Sequence, residues 1–270
     1  MEVIMEKSKL RNLIIGILCS IFGLACIIVS YILKANYNLL EIYLYILSII
    51  GLVLIFGGCY FLFSLKNKDH GHTISVKQMT MIAIQSAISI ILYYTIKFPI
   101  IGVFPSWLDI QISEVPALIT SFAYGPLAGS LVILARFFIK LPSTSTAGVG
   151  EVADLILSLI LVVTSGLIYR KNKTLKGALS GTIIGIIIAT IAACVVNYFI
   201  LIPSYMYFYH MDLEGLVKMS GLSFVNTSNF MLMYIFVGVL PFNLLRYILV
   251  GLFTFLLYKR IHALIKKLTN

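Results

Sequence analysis

The sequence predicts an all-α integral membrane protein, a pair of transmembrane helices followed by a six-helix bundle. Three observations carry this. Of 270 residues, 60% are hydrophobic and only 11% are charged, whereas a soluble domain has roughly a quarter of its residues charged. Apolar runs near the ~20 residues that a spanning helix needs recur along the whole chain. Lys and Arg gather at the ends of those runs, as they do in cytoplasmic loops of membrane proteins. The net charge of +10 therefore reads as membrane topology, and no nucleic acid partner is expected.

The first two runs, 13–33 and 42–65, form the N-terminal pair, giving a first segment over 1–66. Residues 13–33 follow Lys7, Lys9 and Arg11, but they exceed the apolar core of a signal peptide and read as a retained span. The linker "KNKDHGHTISVK" follows and places a cytoplasmic connection at 67–77. The rest, 78–270, reads as the six-helix part, with runs at 79–96, 115–141, 152–169, 175–202 and 230–258. The run at 115–141 contains "YGPLAG". Proline starts helices well and disfavours helical geometry in the residue before it, so two helices meeting at Gly125 and Pro126 are expected.

With the N-terminus inside, fourteen of the twenty cations fall on the cytoplasmic side: Lys7, Lys9, Arg11, Lys66, Lys68, Lys77, Arg170, Lys171, Lys173, Lys176, Lys259, Arg260, Lys266 and Lys267. Lys34, Lys97, Arg136, Lys140, Lys218 and Arg246 remain outside or within the membrane. This bias requires the 115–141 region to be a hairpin with its Gly-Pro tip inward. Both termini are then cytoplasmic, and the segments 97–113, 142–151 and 203–228 face outward as loops. They carry Trp107, Asp109, Gln111, Thr144, Thr146, Glu151, Asp212 and Glu214, with Glu114 at the edge of the first. Residues 205–209 read as an interfacial aromatic belt. Gly148 and Gly150 sit among small polar groups where a backbone can approach another group closely.

Two stretches place polar groups inside apolar helices. Gly177, Gly181, Gly185, Ala189, Ala193 and Asn197 recur every fourth residue, a stripe suited to close helix packing. Asn197 at its end needs partners, either an interhelical hydrogen bond or a ligand. Asn243 and Arg246 are three residues apart on one helix face, just after Pro241. Arg at a helix centre costs on the order of 3 kcal/mol by insertion scales. It is read as ion-paired to Asp154 or Glu151, as lining a polar cavity, or both. Ala83 and Ala87 form a small-xxx-small pair suited to docking another membrane helix.

The absences are informative too. Cys19, Cys26, Cys59 and Cys194 all lie in apolar runs with no CxxC spacing, so neither a disulfide framework nor a metal site is expected. His70, His72, His210 and His262 fall in predicted loops or tails. There is no GxxxxGK[ST], no HExxH and no Ser–His or Cys–His pair in a span. An intramembrane enzyme working on lipid through Arg246 and Asp154 is a remote reading, as is an accessory protein without ligand.

Four blocks, "SEVPALITSFAYGPLAGSLVILARFFIKL", "TAGVGEVADLILSLILVVTSGLIYR", "VVNYFILIPSYM" and "LPFNLLRYILVG", together resemble the substrate-binding S components of energy-coupling factor (ECF) vitamin transporters. The riboflavin-specific members are the most similar, on "NYFILIP" and "PFNLLR". The resemblance covers about 77–259. It implies a six-helix S-component bundle, no catalytic residues and no cofactor. The vitamin pocket would lie near the outer face, capped by the loop at 97–113. The partners would be a membrane scaffold and two ATP-binding subunits in the cytoplasm. Ala83 and Ala87 match the scaffold-docking motif. Asn243 and Arg246 match an Asn and a Lys that contact flavin, and Asn197 matches a further contact. Two positions depart from the pattern: Arg246 stands where riboflavin members have Lys, and Asp154 where Asn is common. A flavin needs apolar walls, an amide and a cation at its ring edge. The expected binding set is Asn197, Asn243 and Arg246, with Gly148, Gly150, Glu151, Asp154 and Asp109. Another vitamin or precursor is the alternative ligand.

Overall fold

Long apolar stretches fold as helices here because a bilayer leaves backbone polar groups no partner but their own chain. The structure, a computed structural model, describes residues 76–269 except 101, 106, 145, 147, 223 and 224, with side chains described as far as Tyr258. The predicted N-terminal pair, nearly all of the linker and Cys19, Cys26 and Cys59 lie outside the described residues.

Helix α1, Val76–Thr95, buries only Ser86, Ser89 and Tyr93. Ala83 and Ala87 lie on its exposed side with Ile84, Ile88 and Ile91. Next comes the departure from an all-α chain among the described residues. The expected loop at 97–113 holds a short antiparallel ribbon of β1, Lys97–Pro99, and β2, Asp109–Gln111, pairing Lys97 with Gln111 and Pro99 with Asp109. Such short strands leave little periodicity to read. β1 is exposed, but the chain from β2 onward turns into the bundle, and residues 110–122 are buried without a break.

The predicted split is present. Helix α2, Val115–Tyr124, ends at Gly125, whose φ of 95° is a conformation that favours glycine. Pro126 then opens α3, Pro126–Lys140. At 1.5 Å per residue α2 is about 15 Å long, half of the ~30 Å hydrocarbon core. Helix α4, Val149–Lys171, starts after the left-handed Gly148.

Helix α5, Leu175–Val196, is capped by Thr174, whose side chain accepts from the Gly177 N–H. The small-residue stripe faces α4. A Cβ on Gly181 would lie 2.7 Å from the Ser165 carbonyl oxygen, and one on Gly185 would overlap Ser165 Oγ. The helix does not end at Pro203. A π-helical turn, Asn197–Leu201, lets the Ile202 N–H reach back five residues to the Asn197 carbonyl, and α6, Ile202–Phe208, continues the rod. An amphipathic helix, α7, Leu213–Ser220, is capped by Asp212 and closed by the left-handed Gly221. The expected loop at 203–228 is thus largely helical, because the wider turn lets the rod pass a residue with no N–H to donate.

The same device recurs at the end of the chain. Helix α8, Phe230–Met233, leads into a π-helical segment, Tyr234–Val239, where the Leu240 N–H bonds the Ile235 carbonyl just before Pro241. Helix α9, Leu240–Thr269, follows, so His262 lies on a helix rather than in a tail. Among the described residues, five helical stretches are long and apolar enough to cross a membrane, and α2 is a shorter apolar helix.

Candidate functional site

Beside the ribbon, between α1, α3, α4 and the two proline-containing rods, lies a cavity of about 240 Å³. Of the predicted binding residues, Asn197, Asn243, Arg246, Gly150, Glu151, Asp154 and Asp109 line it. Gly148 stays off the wall as the turn into α4. Tyr93, Lys97, Trp107, Gln111, Lys140, Tyr205 and Phe242 complete much of the lining.

At one side of the cavity is a buried charge network. Asp154, in the second turn of α4, is its hub. Oδ1 accepts from Gln111 Nε2 at 3.0 Å and from Arg246 Nη2 at 2.7 Å. Oδ2 accepts from Arg136 Nη2 at 2.9 Å and from Lys140 Nζ at 3.3 Å. Arg246 Nη2 also donates to Glu114 Oε1, which takes a further bond from Ser158 Oγ at 3.2 Å. Glu114 is the N-cap residue of α2, where the backbone dipole favours negative charge. Arg136 and Lys140 are four residues apart on α3 and share a face. Burial at this level is tolerated because nearly every charge has an opposite partner.

Of the two carboxylates proposed as partners of Arg246, Asp154 pairs with it and Glu151 does not. Glu151 Oε2 instead accepts from Thr144 Oγ1 at 2.6 Å and Thr146 Oγ1 at 2.7 Å. These threonines also take the backbone N–H groups of Gly148 and Gly150. A Cβ on Gly150 would lie 2.7 Å from Thr146 Oγ1, so this glycine makes room for the threonine clasp.

Gln111 and Glu114, expected in an outward loop, are buried at 4% and 0% exposure. The charge network holds them in the bundle. Arg136, Lys140 and Ser158 were also missed as site residues. Two cations four apart in an apolar helix carry the same signal that singled out Arg246. Nothing comparable marked Glu114, whose neighbours suit a loop.

Closer to the ribbon, Lys97 Nζ pairs with Asp109 Oδ2 at 3.0 Å. Burial opposes the charge on Lys97, but the hydrogen bond and field of Asp109 outweigh it and lift its pKa above the ordinary lysine value. On the far wall, Asn243 Nδ2 donates to the Val239 carbonyl at 2.9 Å. Asn197 makes the interhelical bond that was one of its two readings: Oδ1 accepts from Tyr234 Oη at 2.6 Å, while Nδ2 donates to the Ala193 carbonyl at 2.8 Å. It also lines the cavity, so both readings describe it. The aromatic run divides: Tyr205 is 2% exposed and meets Trp107 edge-on at 5.8 Å, whereas Phe208 and Tyr209 are exposed as a belt would be.

This cavity has acid–base pairs but no nucleophile with a base, and among the described residues no cluster of His, Cys, Asp and Glu suited to a metal. The model of the family "ECF transporter, substrate-specific component" matches residues 77–258. The chain belongs to that family. Such S components are transporter parts, not enzymes, and this one is membrane-embedded. It is 29% identical over 193 residues to the riboflavin transporter RibU of Staphylococcus aureus (strain TCH60), covering 71% of this chain and 94% of that protein. To the riboflavin transporter FmnP of Bacillus subtilis (strain 168) it is 29% identical, covering 65% and 86%. A solved S component of a bacterial ECF transporter matches with a TM-score of 0.55 and 29% identity, over 70% of this chain and 98% of that one.

Proposed function

We propose that this S component binds riboflavin in the cavity, at the outer face of the membrane, for ATP-driven uptake. The observation that carries the reading is the cavity wall itself. It combines the amides of Asn197 and Asn243, the Arg246–Asp154 pair and the aromatic rings of Trp107, Tyr205 and Phe242. A flat apolar ring with carbonyls at its edge and a hydroxylated chain suits such a wall. The near balance of buried cations and carboxylates suits a neutral ligand. The named activity of the two transporter relatives supports the same vitamin.

In this reading Asn197, Asn243 and Arg246 meet the ring edge. Asp109, Gly150 and Glu151 meet the hydroxyl chain, Gly148 makes the turn into the helix that carries the last two, and Asp154 fixes Arg246. The bundle has six helices over 78–270, preceded by two extra transmembrane helices over 1–66 and a cytoplasmic linker at 67–77, with both termini cytoplasmic. The exposed Ala83 and Ala87 dock a membrane scaffold that carries two ATP-binding subunits in the cytoplasm.

Titrating the purified protein with riboflavin while following flavin fluorescence tests the proposal. Saturable quenching is expected, and Asn243→Ala should raise the Kd about tenfold, the loss of one well-placed hydrogen bond. A colourless preparation that leaves the fluorescence of added riboflavin unchanged would overturn the assignment.

A further inference from the structure

We infer that Tyr234, which does not touch the cavity, is a positioning residue that sets the orientation of the Asn197 amide through a hydrogen-bond relay from Trp107. Tyr234 is 0% exposed. Its hydroxyl lies 3.1 Å from Trp107 Nε1 and 2.6 Å from Asn197 Oδ1. An indole N–H only donates, so the tyrosine oxygen accepts from Trp107 and its own proton points to Asn197. The Asn197 oxygen is thereby committed to Tyr234 and its nitrogen to the Ala193 carbonyl, 2.8 Å away. The amide cannot turn over without breaking both bonds. With both bonds made, the amide keeps its second N–H and one oxygen lone pair in fixed positions beside the cavity, so their order along the wall is set by Tyr234.

The backbone supports the relay. Asn197 opens one π-helical segment and Tyr234 opens the other. Such wide turns recur at functional sites, and the two face each other across the relay. Phe230 stacks on the Tyr234 ring at 5.4 Å with 13° between planes, and Trp107 lies 5.8 Å from it. The ring is held from two sides, so the hydroxyl has one place to be.

The inference rests on the riboflavin reading only for its affinity arm. Trp107 is the single tryptophan of the chain, so its fluorescence reports this position alone. In ligand-free protein, Tyr234→Phe is expected to increase quenching of Trp107 by acrylamide; unchanged quenching would overturn the relay whatever the ligand is. With riboflavin, Tyr234→Phe should raise the Kd about five- to tenfold. In an Asn197→Ala background the same substitution should change it by less than about twofold, since coupled residues are not additive. A full multiplicative penalty in that background would overturn the role. Absence of riboflavin binding by the parent protein would sink the proposed function and leave the quenching arm to decide this one.

Discussion

Arg246 carries more than one duty. Its guanidinium joins Glu114, at the N-cap of α2, to Asp154 on α4, so it ties the ends of three helices together beside the cavity. Removing one partner of a buried pair strands the others and costs about 3–5 kcal/mol. Arg246→Ala is therefore expected to lower the thermal midpoint in detergent by about 10 °C or more, beyond any effect on ligand. Arg246→Lys keeps the charge but loses the planar fork that reaches two acids at once, and its midpoint should fall between those of Arg246→Ala and the parent. A midpoint for Arg246→Ala within a degree or two of the parent would show that the network contributes nothing to stability. A buried guanidinium was legible in the sequence because an apolar run exposes any charge within it. Its partner Asp154 was legible for the same reason. Glu114 was not, because the depth of a residue at the edge of a loop depends on the fold of the whole segment. The Tyr234–Asn197 contact was equally hidden, since a tyrosine in an apolar helix looks the same whether or not its hydroxyl has work to do.

At the level of elements, the hydrophobic runs and the Gly125 and Pro126 break were readable because they rest on local chemistry. The β1–β2 ribbon and the continuation of helix past Pro203 were not. Three-residue strands have no pattern to detect, and a proline in a helix announces a break unless a π turn absorbs it. The small-residue stripe of α5 was readable both as a pattern and as a purpose. It lets α4 approach until the Ser165 carbonyl oxygen lies 2.7 Å from where a Cβ on Gly181 would stand. That atom is backbone and has no rotamer to escape into. Gly181→Leu should force the two helices apart and destabilise the bundle by about 1–3 kcal/mol or more. This corresponds to a fall in the thermal midpoint of at least about 2–4 °C, with Gly181→Ala the milder of the two substitutions. An unchanged midpoint for Gly181→Leu would mean that α4 and α5 do not pack as described.

For the molecule as a whole, the proposed recognition and docking sites occupy separate surfaces, so the proposal makes them separable by mutation. The cavity is walled partly by Tyr93 near the end of α1, on its buried side. Ala83 and Ala87 lie on the exposed side of the same helix, about two to three turns away along the rod. Small residues on a membrane-facing helix let another backbone come close, and larger ones hold it off. Replacing both with Leu adds bulk only on the exposed side. The double variant Ala83→Leu, Ala87→Leu is therefore expected to bind riboflavin with a Kd within about twofold of the parent. It should nonetheless fail to co-purify with the scaffold and its ATP-binding subunits, and so fail to support uptake in cells. Loss of riboflavin binding by this variant would show that the two surfaces are coupled through α1. Co-purification at the parent level would move the docking surface elsewhere on the bundle.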